Sequence, residues 1–210
     1  MSGWGAPHPS KQTSRLVENL DRLEQAGVFP SAPARVLEIG CGNGRSLLLM
    51  AQRGHEVFGI DISATATDWA GALFESAGVA SSIRHGNVCG MPFFEKNMFD
   101  VVMDGACLHC LIGENRKKCL AEVARVMRPD GAFIVSSMCG APKSEDARAR
   151  FDAGLGCLMK DGKPYRSLRP LVDIEVELTD AGFVVKDHWL RVNPWWDHVT
   201  ITCRKRDGVK

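Results

Sequence analysis

Four stretches of this sequence combine residue types that do chemistry with spacings that would gather them around a ligand. The first is Val36-Leu37-Glu38-Ile39-Gly40-Cys41-Gly42-Asn43-Gly44. A glycine-rich turn between an apolar β-type run and a helix lets backbone approach a ligand closely, and the helix N-terminus offers free N–H groups. The dinucleotide pattern Gly-x-Gly-x-x-Gly needs a sixth-position glycine; counted from Gly40, that position is Arg45. Gly40, Gly42 and Gly44 give Gly-x-Gly-x-Gly instead, preceded by the acid Glu38. That set suits a ligand with a positively charged head and no pyrophosphate.

The second stretch is Gly59-Ile60-Asp61-Ile62-Ser63. Asp61 ends an apolar run 17 residues after Gly44, where a carboxylate can accept hydrogen bonds from both hydroxyls of a ribose. Its competing role is an N-cap for the helix that starts near Ser63. The third stretch is Asp104-Gly105-Ala106-Cys107-Leu108-His109-Cys110. In open α/β sheets, ligands bind beyond the carboxyl ends of strands, where this segment falls. His109 is the candidate general base, since an unperturbed imidazole titrates near neutral pH; the alternative is a histidine that packs on the ligand or bonds to backbone. Cys107 and Cys110 form half of a zinc knuckle, and the sequence has no second Cys-x-x-Cys, so no metal is expected. The fourth stretch, Trp195-Trp196-Asp197-His198, puts two indoles in one turn. Both cannot be core residues, so Trp195 and Trp196 are candidates for a substrate pocket or an oligomer interface, such as a homodimer contact.

Positioning these residues requires an alternating chain. Residues 11–26 are predicted to form an amphipathic helix with Leu16, Leu20 and Leu23 on one face. Short apolar strands are expected at 35–39, 55–62, 82–88, 99–104 and 132–138, with helices over 45–53, 65–76 and 114–127. Arg128-Pro129-Asp130-Gly131 is expected as a turn. A last helix at 171–181 precedes an antiparallel pair of strands, 183–192 and 199–204. Strands flanked by helices imply an α/β fold with a mostly parallel sheet covered on both faces. Residues 139–170 break the rhythm and read as a helix plus an irregular excursion over the sheet edge. Arg148, Arg150, Lys160, Lys163, Arg166 and Arg169 make that excursion basic, which suits an anionic substrate or simply a solvated surface.

Composition bounds the function. With 26 Lys+Arg and 25 Asp+Glu, the formal net charge of the 210 residues is +1, which argues against a chain built to hold phosphate backbones. Hydrophobic residues are 45% and charged residues 24%, an ordinary globular profile. No apolar run approaches the ~20 residues of a membrane helix, and residues 1–7 read as a tail rather than a secretory signal. Eight cysteines in apolar or glycine-rich surroundings are expected as reduced thiols in the cytoplasm.

In order and spacing, Glu38-x-Gly40-x-Gly42-x-Gly44, Asp61, Gly86-Asn87-Val88, Phe99-Asp100-Val101-Val102 and Arg128-Pro129-Asp130-Gly131-Ala132 together resemble the class I S-adenosylmethionine-dependent methyltransferases. The likeness spans roughly residues 35–138. It implies a Rossmann-like sheet of seven strands with an antiparallel last strand. Residues 1–33 would be an N-terminal tail and helix, and 34–210 a single domain with 139–170 as a substrate-side insertion. The implied cofactor is S-adenosylmethionine. The loop Gly40, Cys41, Gly42 and Gly44 would lie under its methionine and ribose parts. Glu38 would orient the amino group, Asp61 the ribose, and Ile62 would pack on adenine. Asn87 stands where an Asp is common, and its amide oxygen can still accept a hydrogen bond; Val88 would offer a backbone N–H. Asp104 is counted with these cofactor residues, and His109, Trp195 and Trp196 with the acceptor. The implied reaction is in-line methyl transfer to O, N or S of a small molecule, without nucleic-acid or membrane partners. An NAD-type oxidoreductase and a non-catalytic cofactor-binding subunit are the competing readings.

Overall fold

The computed structural model describes residues 9–206, so the tail expected over residues 1–7 lies outside the described residues. The chain runs α1 (Pro9–Gln25), β1 (Arg35–Ile39), α2 (Arg45–Gln52), β2 (Glu56–Asp61), α3 (Ala64–Ala77), β3 (Ser82–His85) and β4 (Phe99–Asp104). A single 3-10 turn, Leu108–Cys110, then leads into α4 (Glu114–Val126) and β5 (Met127–Cys139). An excursion follows: α5 (Glu145–Ala149), β6 (Phe151–Asp152), β7 (Cys157–Lys160) and β8 (Lys163–Ser167). The chain ends in α6 (Leu171–Asp180), β9 (Phe183–Arg191) and β10 (Asp197–Lys205).

Seven strands form one sheet in the order β3-β2-β1-β4-β5-β10-β9. The first five are mutually parallel, and β10 runs antiparallel to both β5 and β9. This is the expected α/β sheet with an antiparallel last strand. β1 is almost wholly buried because both faces are covered: Leu37 and Ile39 join the core on one side, Val36 and Ala34 the core on the other. On the first side Phe94, Phe99 and Phe58 pack edge to face, with Phe99 5.1 Å from each of the other two ring centroids. On the second, Leu20 and Leu23 of α1 close over Met50 and Leu47 of α2.

Strand order reverses at β1, which pairs with β2 on one edge and β4 on the other. Ile39 stands opposite both Ile60 and Asp104. Glu38, Gly40, Asp61 and Asp104 therefore fall within one residue of that row, at the switch point where such sheets open a crevice.

Two elements differ from the sequence expectation. Arg128-Pro129-Asp130-Gly131 is not a turn between helix and strand. It lies inside β5 as a wide bulge: Met127 pairs with Phe99 and Ala132 with Val101, so the four residues loop out of register. The excursion is also not irregular. Its strands form a separate antiparallel sheet in the order β6-β7-β8. The hairpin signal is Asp161-Gly162, with φ of 49° and 72°, between the paired Lys160 and Lys163. Both central residues of such a two-residue turn take positive φ, which an Asp-Gly pair tolerates.

Candidate active site

The turn after β1 must fold back over the end of the sheet, and close approach decides its residues. Gly40 has φ of 67°, and a Cβ there would lie 2.5 Å from the Cβ of Cys107. Its N–H donates to the Ile60 carbonyl at 2.8 Å, which ties the turn to β2. From the other side, the Gly105 N–H donates to the Ile39 carbonyl at 2.9 Å. The loop after β1 and the loop after β4 thus lie backbone on backbone. Cys41 is buried beneath them, and burial together with the charges of Glu38 and Asp61 pushes its thiol far up, so it is a neutral filler.

Three carboxylates meet around this turn, in three different states. Asp61 uses Oδ2 to accept from the Gly42 N–H and Oδ1 to accept from the Ser63 N–H, both at 2.9 Å. Ser63, rather than Asp61, is the N-cap of α3: its Oγ accepts from the Ala66 N–H at 3.2 Å. Each Asp61 oxygen keeps a second lone pair for a ligand hydroxyl. Beside it Ile62 is 72% exposed, an apolar face presented at the mouth of the crevice. Asn87 is exposed, and its Oδ1 already accepts from the Cys89 N–H at 2.9 Å; Val88 beneath it is buried.

Glu38 is different. It is 4% exposed, and its Oε2 is buried with no hydrogen-bond partner. Burial above all, then the nearby charges of Asp104 and Asp61, push its pKa up to about 8, against a hydrogen bond from Ser46. A buried acceptor atom left open is costly unless something arrives to fill it. The group that best satisfies it is a cation with N–H donors. The methionine ammonium of S-adenosylmethionine has that chemistry, Asp61 suits its ribose, and Ile62 suits a planar base, so the residues present fit that cofactor.

Asp104 is committed mainly to backbone. Its Oδ1 accepts from the Cys107 and Leu108 N–H groups at 2.7 and 2.9 Å, and its Oδ2 from the Ser136 N–H at 3.3 Å. It shapes the turn that leans on Gly40. Burial raises its pKa to about 6, opposed by those backbone donors and by Arg116.

The 3-10 turn carries His109, which is 5% exposed and whose Nδ1 is buried without a partner. Burial first, then the charges of Arg166, His198 and Arg116, lower its pKa to about 3. The ring is neutral at pH 7 but only weakly basic. The sequence expectation of a general base assumed an unperturbed imidazole, and the desolvated site between guanidinium groups removes that condition. His198 stands 6.4 Å from His109, ring to ring, and its Nε2 lies 3.3 Å from the Trp196 Nε1. Trp196 packs with Met138, Leu158 and Leu168, so the end of β5, the excursion and the last hairpin share one apolar cluster. Trp195 is 55% exposed and does not join it.

Sequence reasoning missed the residues that hold the 3-10 turn. Arg116 on α4 is 4% exposed; it donates from Nη1 to the Leu108 carbonyl at 2.6 Å and pairs through Nε with Glu177 at 2.8 Å. That salt bridge joins α4 to α6 across 61 residues, a distance at which no local pattern could flag it.

The comparisons agree with this geometry. Residues 37–135 match the family model described as a methyltransferase domain. An O-methyltransferase, resE, of Aspergillus sclerotiorum is 28% identical over 141 residues, covering 65% of this chain and 52% of that protein. The chain spans about half the length of the first curated relatives it matches. Among solved structures, an S-adenosylmethionine-dependent methyltransferase from Methanosarcina mazei superposes with TM-score 0.75 at 18% identity, covering 87% of this chain and 97% of that one. The Burkholderia thailandensis 1,6-didemethyltoxoflavin-N1-methyltransferase, solved with its substrate and S-adenosylhomocysteine, gives TM-score 0.68 at 21% identity, covering 99% and 93%.

Proposed function

We propose that this chain, whose residues 37–135 match a methyltransferase domain, is a class I S-adenosylmethionine-dependent methyltransferase that transfers a methyl group to O, N or S of a small-molecule acceptor. When bound, the cofactor would supply an electrophilic methyl carbon on a sulfonium leaving group. The chain's part is to position, align and keep water out. Glu38 takes the cofactor's ammonium on its open Oε2. Asp61 accepts from the ribose hydroxyls, and Ile62 lies on the adenine. Asn87 Oδ1 and the Val88 N–H face the edge of that ring. Gly40, Cys41, Gly42 and Gly44 form the floor, and Asp104 holds the floor's second layer in place. His109, neutral, is a hydrogen-bonding group for the acceptor, and Trp196 is part of the acceptor's wall.

Residues 34–210 act as one domain in this reading, with 139–170 closing the acceptor side. The near-zero charge favours a small molecule over a nucleic acid. Eight free thiols favour a cytoplasmic site of action. Among the described residues, no helix is long and apolar enough to cross a membrane.

The observation that carries the proposal is the open, buried Oε2 of Glu38 at the end of β1, within a crevice built by glycine contacts. Calorimetric titration tests it. S-adenosylhomocysteine should bind with micromolar affinity and NADH should not bind. Asp61→Ala removes the acceptor that orders Gly42 and Ser63 as well as the ribose contact, so affinity should fall at least about tenfold. Binding of NADH, or of neither ligand, defeats the proposal.

A further inference from the structure

The acceptor side of the crevice holds an excess of positive charge that the cofactor does not use. Arg116 and Arg169 share one carboxylate there, Glu177, and Arg166 stands against the same 3-10 turn as Arg116. Glu177 pairs with Arg116 at 2.8 Å and with Arg169 at 3.6 Å. Among the described residues, Arg166 makes no ion pair. Its Nη1 instead touches the Cys110 Sγ at 2.5 Å, and its guanidinium stands 5.7 Å from the Tyr165 ring centroid. A thiol is a weak acceptor, and burial keeps the Cys110 thiol protonated. Arg166 is thus a half-buried cation held in place by an aromatic ring and a sulfur atom, without an anion.

Two further atoms beside it are open. The His109 Nδ1 and the Arg116 Nη2 are both buried without partners, in side chains 5% and 4% exposed. Both arginines hold the three-residue turn that carries His109: Arg116 through the Leu108 carbonyl and Arg166 through Cys110. That turn follows directly on the loop whose Cys107 covers Gly40.

Resting on the methyltransferase reading, we propose that the acceptor is a carboxylate, held by Arg166 and His109, and that its own oxygen receives the methyl group to give a methyl ester. A carboxylate matches the two parallel N–H donors of one guanidinium, and one oxygen can stay in that pairing while the other attacks. A bond forms between that oxygen and the methyl carbon as the carbon–sulfur bond breaks, and its electron pair stays on sulfur. One negative and one positive charge cancel and no proton moves. The step therefore needs no base, and His109, neutral in the ligand-free site, serves it as a hydrogen-bonding group. An alcohol would need a proton removed, and a protonated amine would be repelled by Arg166.

The test uses the full chain saturated with S-adenosylhomocysteine and titrated with octanoate, benzoate and indole-3-acetate, each beside its primary amide. At least one carboxylate should bind about tenfold or more tighter than its amide. With S-adenosylmethionine it should yield the methyl ester by mass spectrometry. Arg166→Ala should weaken carboxylate binding about 10- to 100-fold, and Arg166→Lys should recover part of it. In both variants S-adenosylhomocysteine should bind within about twofold of the parent, which separates loss of the anion site from loss of fold. Amides that bind equally well, no binding by any of the three carboxylates, or carboxylate binding indifferent to Arg166→Ala would each overturn the proposal. Failure of the parent chain to bind S-adenosylhomocysteine would overturn the methyltransferase reading instead.

Discussion

Gly105→Ala should reduce S-adenosylhomocysteine affinity at least about 100-fold, the scale on which misplacement of a site by about an ångström acts. A Cβ at Gly105 would lie 2.5 Å from the Gly40 carbonyl oxygen, 3.1 Å from the Ile39 carbonyl oxygen and 3.1 Å from the Glu38 Oε1. Two of these neighbours are backbone and the third is buried. None can swing aside as a surface side chain would. Relief requires the loop after β4 to lift from the loop after β1, which also lifts Cys107 from Gly40. The cradle floor then opens where the cofactor would lie. The matched control is Gly71→Ala on α3, where a Cβ meets nothing within 4 Å. Alanine in a helix interior stabilises by about 1 kcal/mol over glycine, so that variant should raise Tm slightly and bind as the parent does. Calorimetry on both variants, with thermal melts, checks the pair. Parent-like affinity in Gly105→Ala would mean that the two loops are not packed as described.

Gly105 also shows where sequence reading reaches its limit. The glycines at 40, 42 and 44 were legible because a strand, a turn and a helix succeed one another within a few residues. Asp61 was legible because strand ends recur at regular spacing. Those local signals carried the mostly parallel sheet and the place of the crevice, while the order of its strands came only from the structure. Gly105 is needed only because residue 40 comes beneath it, a contact across 65 positions that leaves no local trace. The same holds for Arg116 and Glu177, and for Arg166, whose charge looked like one of six on a basic surface until β8 was laid against the 3-10 turn. The excursion sheet is a different kind of miss. Asp161-Gly162 carried a hairpin signal, but the glycines and prolines around it drew the reading toward loop. For His109 a sequence shows the residue type and not the burial and neighbouring guanidinium groups that lower its pKa.

Burial is also what makes Glu38 the most informative residue to titrate. Its pKa, raised from 4.5 to about 8, leaves it mostly protonated at pH 7 in the free protein, whereas an ammonium ligand requires the carboxylate. Binding must therefore release a proton. Affinity for S-adenosylhomocysteine should rise about tenfold per pH unit between pH 5 and 7, where the ligand's amino group stays protonated and Glu38 must give up its proton. Calorimetry in buffers of different ionisation enthalpy should count nearly one proton released at pH 7. The same shift acts on stability with a definite sign. Between pH 4.5 and 8 the folded chain binds more protons at this site than the unfolded chain, so Glu38's contribution falls as pH rises through that window and is constant above it. At pH 7 the penalty is on the order of 3 kcal/mol. Glu38→Gln removes the titration while keeping the shape. The ligand-free variant should melt about 3 °C or more above the parent at pH 7. It should also bind S-adenosylhomocysteine at least about tenfold more weakly, with affinity flat across pH 5–7. A carboxylate kept at a cost to the fold, and needed only when a cation arrives, is the mark of a binding residue. If Glu38→Gln were instead less stable than the parent and still showed pH-dependent binding, the proton would belong to another group, with Asp104 the next to test.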